Sequence, residues 1–123
     1  MTIRQRQIVE VAFRLPPDGE LLNHPCIVIS NDEINEEEQG FVAVMMTSEI
    51  RYKDDRYSFL LTDNMLAKSL GKPFCAARLH LIGNFLYSDV IVNRNAGNEI
   101  KIDAFNRLIV HINKITFDLN LSR

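Results

Sequence analysis

Tryptophan is missing from the 123 residues, and glycine (5), proline (4) and cysteine (2) are sparse. With no Gly/Ser-rich tract, internal repeat or low-complexity segment, nothing reads as a linker. One domain over residues 1–123, built on a single hydrophobic core, is expected from a chain that is 46% apolar. Cys26 and Cys75 lie far apart in apolar segments. That is neither a CxxC redox pattern nor a metal-ligand pair, and both read as reduced, buried thiols. The longest apolar run, Phe41 to Met46, is far short of the roughly 20 residues that span a bilayer, so no membrane crossing is expected. The N-terminal Met1 to Gln7 carries charge with no apolar stretch behind it. A secretory signal is therefore not expected, and the cytoplasm is the expected location. Charge of one sign is also lacking: 14 Lys plus Arg against 16 Asp plus Glu leave −2. Nucleic-acid binding would have to rest on a local basic patch. No Gly-rich phosphate loop, GxSxG, HExxH or EF-hand spacing occurs, which leaves nucleotide-binding and metal-hydrolase classes without support and no cofactor expected.

What is present is a series of short strands and one clear helix. Gln7 to Phe13 alternates, with Val9, Val11 and Phe13 on one face, the period of a partly buried strand. Two prolines and Asp18-Gly19 predict a loop over Leu15 to Leu22. Pro25 to Ser30 is a β-branched run that predicts a central strand. The acidic stretch Asn31 to Gln39 reads as a solvated connection, with a helical turn over Asp32 to Glu38 as the alternative. Further strands are predicted at Phe41 to Thr47, Tyr57 to Leu61, Phe74 to Ile82 and Phe85 to Val92. Between them fall a long exposed loop (Glu49 to Arg56), a short helix within Thr62 to Lys72, and a turn at Asn93 to Asn98. Asp103 reads as the N-cap of a C-terminal helix whose Phe105, Leu108, Ile109, Ile112 and Ile115 share one face. The pattern favours a small, mainly β fold: a strongly curved, mostly antiparallel sheet or barrel covered by a C-terminal helix.

The order of these segments resembles the MazF/PemK (Kid) family of type II toxin-antitoxin toxins. Gln7-Ile-Val-Glu-Val looks like the family's opening strand. Asn23-His-Pro-Cys-Ile-Val-Ile-Ser30 is similar to its "Arg-Pro, apolar run, Ser" strand, and Phe41-Val-Ala-Val-Met-Met-Thr-Ser48 to its apolar strand ending in Thr-Ser. Phe74-Cys-Ala-Ala-Arg-Leu-His80 lies where the family has a late strand with Arg, and a helix follows. The resemblance runs over about residues 6 to 116, carried by order and spacing. It implies an SH3-like barrel of the MazF/PemK/CcdB type that forms a homodimer, cleaves single-stranded RNA without a metal, and is neutralised by a cognate antitoxin. Two departures stand out. His24 occupies the position of the family's catalytic Arg, and Arg78 is about one position out of register, behind alanines at 76 and 77.

Metal-free RNA cleavage uses the substrate's 2'-hydroxyl as nucleophile, so the protein must move two protons and stabilise charge on phosphorus. His24 and His80 are the candidate proton carriers. Arg78 would neutralise the phosphorane with its planar fork, and Thr47 would hydrogen-bond one of its oxygens. Arg14, Ser48, Arg51, Tyr52, Lys53 and Arg56 form the candidate RNA surface, since basic side chains track phosphates and tyrosine stacks on unpaired bases. Asp54 and Asp55 cancel much of that charge. Each residue also suits a plain role, as a strand-end Thr, a wet strand face or a solvated loop; His111, off the helix's apolar stripe, reads as structural or exposed. Two other readings remain open. A CcdB-type protein-binding toxin is disfavoured because that branch depends on a C-terminal tryptophan, and the chain ends Asn120-Leu-Ser-Arg123. A non-catalytic interaction module is the reading toward which the His24 departure points.

Overall fold

The computed structural model describes residues 1–92 and 94–118. Five strands, β1 (Ile8–Leu15), β2 (Glu20–Val28), β3 (Gly40–Thr47), β4 (Ser58–Leu60) and β5 (Ala76–Leu86), form one antiparallel sheet in the order β1-β2-β3-β5-β4. Helix α1 (Asp32–Glu38) links β2 to β3, and α2 (Ile102–His111) follows β5 and continues as a π-turn to Thr116. The sheet is open, since β1 and β4 are its two edges, so of the expected curved sheet or barrel the structure takes the form of the curved sheet, unclosed. Its curl brings the chain after β5 back to β1, where Ile91 N donates to Glu10 O at 2.9 Å and Ile8 N to Asn98 O at 3.0 Å.

Apolar side chains pack on both faces. One layer joins Ile8, Ile27, Val44, Met46 and Leu79 to Phe105, Leu108 and Ile112 of the C-terminal helical segment. Leu108 is fully buried, a burial that contributes about 1.5–3 kcal/mol. The other layer holds Val9, Val11 and Phe13 against Phe41, Ala43 and Met45, with the Phe13 and Phe85 rings edge-on at 4.9 Å. A strand such as β3, apolar at nearly every position, is what a sheet covered on both sides demands.

Several sequence expectations need correction. The loop over Leu15 to Leu22 shrinks to the tight turn before Glu20, because β1 pairs with β2 as far as Leu15↔Glu20. Cross-strand pairing overrides the weak propensity of Glu20 to Asn23. The second strand therefore starts before Pro25, which is tolerated because β3 pairs only with Cys26 to Val28 and leaves β2 one neighbour there. Within Asn31 to Gln39 the helical alternative holds: Asp32–Glu38 is a helix, capped by Asn31, whose Oδ1 accepts from Ile34 N at 2.9 Å. Within it Asn35 is fully buried, bonded to Ser30 and to Ile3 O.

The two late strands are one, β5, running through Gly83 because β3 pairs with it continuously from Leu86 to Ile82. Tyr87–Asp89 is a 3-10 turn in place of strand. The helix expected within Thr62 to Lys72 is reduced to a 3-10 turn at Asp63–Met65, since Leu66 is drawn into an extended bridge with Ile100. Lys101, not Asp103, is the N-cap of α2, and Asp103 sits in its first turn, where its charge still suits the helix dipole. The turn near Asn95 to Asn98 is present, with positive φ at Asn95 and Gly97, while Asn93 and Asn120-Leu-Ser-Arg123 lie outside the described residues.

Candidate functional site

The pairing of β3 with β5 jumps from Val44↔Ile82 to Met46↔Ala77. Arg78, Leu79, His80 and Leu81 are left without a β3 partner. Such a bulge bends the strand and re-aims side chains. It also sends Leu79 and Leu81, two residues apart, to opposite layers, Leu79 under α2 and Leu81 on the other face. Arg78 and His80 consequently open into a cleft of about 350 Å³.

Five separate segments wall this cleft. The β1–β2 turn supplies Pro16 and Pro17, β2 supplies His24, the end of β3 supplies Thr47, and the following loop supplies Arg51 and Tyr52 opposite Arg78 and His80. His24 is half-buried and pairs across to Val11. Thr47 is buried, and its Oγ1 accepts from Glu49 N at 3.2 Å. The acidic Asp18, Glu20 and Glu49 line the same cleft.

Arg78 is the most constrained group. Its side chain is 8% exposed, and Nη1 lies 3.0 Å from Asp55 Oδ1 and donates to Ser58 Oγ at 2.8 Å. The Tyr52 ring covers the guanidinium at 4.1 Å. Asp55 itself accepts from Tyr57 N at 2.8 Å, and that bond, with Arg78, holds its carboxyl below the usual range. His80 is exposed, 5.1 Å from the Tyr57 ring. Partial desolvation and the Arg78 charge lower its pKa, and Asp55 opposes them. The imidazole is therefore neutral at pH 7, able to accept a proton.

The cleft thus gathers His24, Thr47, Arg78, His80, Arg51 and Tyr52. Ser48 lies in an adjoining cleft of about 430 Å³ that shares His24 and Thr47 and adds Lys72 and Arg94. The other three basic candidates sit elsewhere. Arg14 bonds Gly19 O at 3.0 Å, Lys53 borders an apolar groove beside Leu60, and Arg56 stacks on Tyr57 at 5.0 Å. Arg51 spends its Nε on Glu49, 2.8 Å away. Asp55 and Ser58 escaped the sequence reading; an Asp two residues before a turn amide is the only local signal of the first.

Among the described residues no three His, Cys, Asp or Glu side chains group to hold a metal ion. Cys26 and Cys75 are free and buried. Desolvation, largely, pushes the Cys75 thiol up to about 11 and the Cys26 thiol higher still, so neither is a nucleophile at neutral pH. His111 is exposed, its Nδ1 2.8 Å from Arg107 O. No described helix is long and apolar enough to cross a membrane.

Solved structures share this architecture. The MazF of Deinococcus radiodurans superposes with a TM-score of 0.67 at 13% identity, covering 95% of this chain and 98% of that one. The same organism's MazE-MazF complex gives 0.66 at 13% identity with the same coverage. An endoribonuclease in complex with its cognate antitoxin, from a mycobacterial species, gives 0.66 at 13% identity over 94% of this chain and 96% of that one. A comparison with curated proteins gives no match. At such identities the structures establish the fold alone. The sequence itself carries the assignment: residues 4–84, more than half of the chain, match the family of PemK-like, MazF-like toxins of type II toxin-antitoxin systems, and the protein belongs to that family.

Proposed function

We propose that the protein is the toxin of a toxin-antitoxin pair and a metal-independent endoribonuclease acting on single-stranded RNA, with the cleft between the β1–β2 turn and the β5 bulge as its active site. The observation that carries this reading is the convergence of two imidazoles, a guanidinium and a threonine hydroxyl from separate segments on one cleft. These are the groups that 2'-hydroxyl chemistry requires. His80, neutral at pH 7, takes the 2'-hydroxyl proton, and His24 returns a proton to the leaving 5'-oxygen. Arg78 and Thr47 stabilise the charge that gathers on the non-bridging oxygens. Tyr52 and Arg51 offer a stacking surface for an unpaired base beside the scissile phosphate.

An RNA oligonucleotide incubated with the protein in EDTA is expected to be cut, leaving a cyclic phosphate on the 5' fragment. Cleavage that persists on an all-deoxy strand, or that needs a divalent ion, overturns this mechanism. A cognate antitoxin as partner is supported by neighbours whose structures hold an antitoxin. Co-expression with an antitoxin from an adjacent reading frame should restore growth that the protein alone arrests. A homodimer is part of the same reading, since exposed β-edges call for cover. Sedimentation at micromolar concentration showing only a species of 14.2 kDa counts against it.

A further inference from the structure

Arg78 is held by one edge. Asp55 and Ser58 both engage Nη1, and no hydrogen bond is made by Nε or Nη2 among the described residues. Nε and Nη2 form the side-on edge of a guanidinium, the pair of parallel donors that matches two phosphate oxygens. The hold is rigid. Ser58 opens β4 directly across from Arg78, and Asp55 is fixed by the Tyr57 amide at 2.8 Å and through its own carbonyl by Ser58 N at 3.0 Å. The Tyr52 ring closes the face of the guanidinium plane.

We propose that Asp55 is the positioning residue of the site: with Ser58 it fixes Arg78 by Nη1 and so presents the Nε/Nη2 edge to a phosphodiester in the cleft. The role rests on the ribonuclease reading above. It differs from that of a carboxylate competing with substrate, which would occupy the bidentate edge. An unpaired guanidinium with so little exposure would also lose its fixed place, because burial of a charge without a partner is costly.

The test uses Asp55→Asn, which keeps an acceptor for Tyr57 N while removing the charge, with Asp55→Ala and Ser58→Ala beside it. In single-turnover cleavage the Asp55 variants should lose about 10²-fold in rate, the usual consequence of misplacing a reacting group by an ångström. KM should stay near wild type, and thermal unfolding of Asp55→Asn should remain cooperative. A rate equal to or above wild type in both Asp55 variants overturns the proposal and leaves the ribonuclease reading standing. The second readout is independent of cleavage: the ¹⁵Nε–¹H resonance of Arg78 during titration with inorganic phosphate. It should shift in the wild type and stay unmoved in Asp55→Asn. A wild type that cuts no RNA but shows this contrast refutes the ribonuclease reading and keeps the positioning role. An Arg78 resonance that ignores phosphate in the wild type overturns the positioning role.

Discussion

Replacing Arg78 by lysine preserves the charge and removes the fork, so it isolates what guanidinium geometry contributes. In the native arrangement Nη1 of Arg78 is occupied by Asp55 and Ser58, while Nε and Nη2 make no hydrogen bond among the described residues. An ammonium has three donors on a single nitrogen, so it cannot keep Asp55 and Ser58 on one edge and present a parallel pair of donors to a phosphate from another. One charge-assisted hydrogen bond to the transition state, about 1.5–3 kcal/mol, is then lost. At about 1.4 kcal/mol per tenfold, kcat/KM should fall by roughly ten- to a hundredfold. Stability should fall as well, because the planar stack on Tyr52 at 4.1 Å disappears, a contact in the range of about 0.5–2 kcal/mol. Single-turnover cleavage in EDTA reads the first quantity, and urea unfolding, compared at equal m-value, reads the second. Cleavage by Arg78→Lys at the wild-type rate would refute the fork argument and reduce Arg78 to a diffuse positive charge.

His24→Ala should lower the chemical step by roughly 10²- to 10⁴-fold, the range for a general acid or base, while binding of uncleavable RNA hardly changes; a flat comparison with wild type across about pH 5 to 8 removes His24 from the mechanism. His80 has a folded-state pKa below its ordinary 6.5, so its protonation disfavours the fold. That stability contribution is intact above pH 6.5 and is lost as pH falls from 6.5 through the lower folded value. Unfolding of His80→Gln should be less pH-dependent over that interval, and a variant with the wild-type slope contradicts the assignment. Asn35→Leu should destabilise by about 1–3 kcal/mol in urea, because it strands Ser30 Oγ and two carbonyls that Asn35 now satisfies; a neutral effect would mean that water replaces all three bonds.

The sequence announced what depends on local pattern and concealed what depends on pairing. The alternation in Gln7 to Phe13 and the one-sided stripe from Phe105 to Ile112 are local and reappear in β1 and α2. The start of β2 at Glu20 was illegible, because only the partner strand makes Glu20 to Asn23 extended. Gly83-Asn84 looked like a break between two strands, yet in β5 the glycine pairs with Ala43 and its missing Cβ leaves room for the Phe85 ring. The odd register of Arg78 was visible as an irregularity. The bulge that leaves Arg78 without a β3 partner is a property of two strands, and no single-strand pattern contains it. Likewise His24, Thr47, Arg78 and His80 could be named one by one from residue type and resemblance, whereas Asp55 could not. Its importance arises because the turn before β4 meets Arg78 across the sheet, and in the sequence it is one of three acids set against three bases in a polar loop.

The most direct measurement is a crystal structure of the protein with a single-stranded oligoribonucleotide made uncleavable by 2'-O-methylation. The account predicts a backbone phosphate in the cleft within hydrogen-bonding distance of Arg78 Nε and Nη2. His24 and His80 should lie on opposite sides of that phosphate, and Thr47 should be beside a non-bridging oxygen. An oligonucleotide bound to a surface remote from the β5 bulge, with Arg78 touching no phosphate, would contradict it.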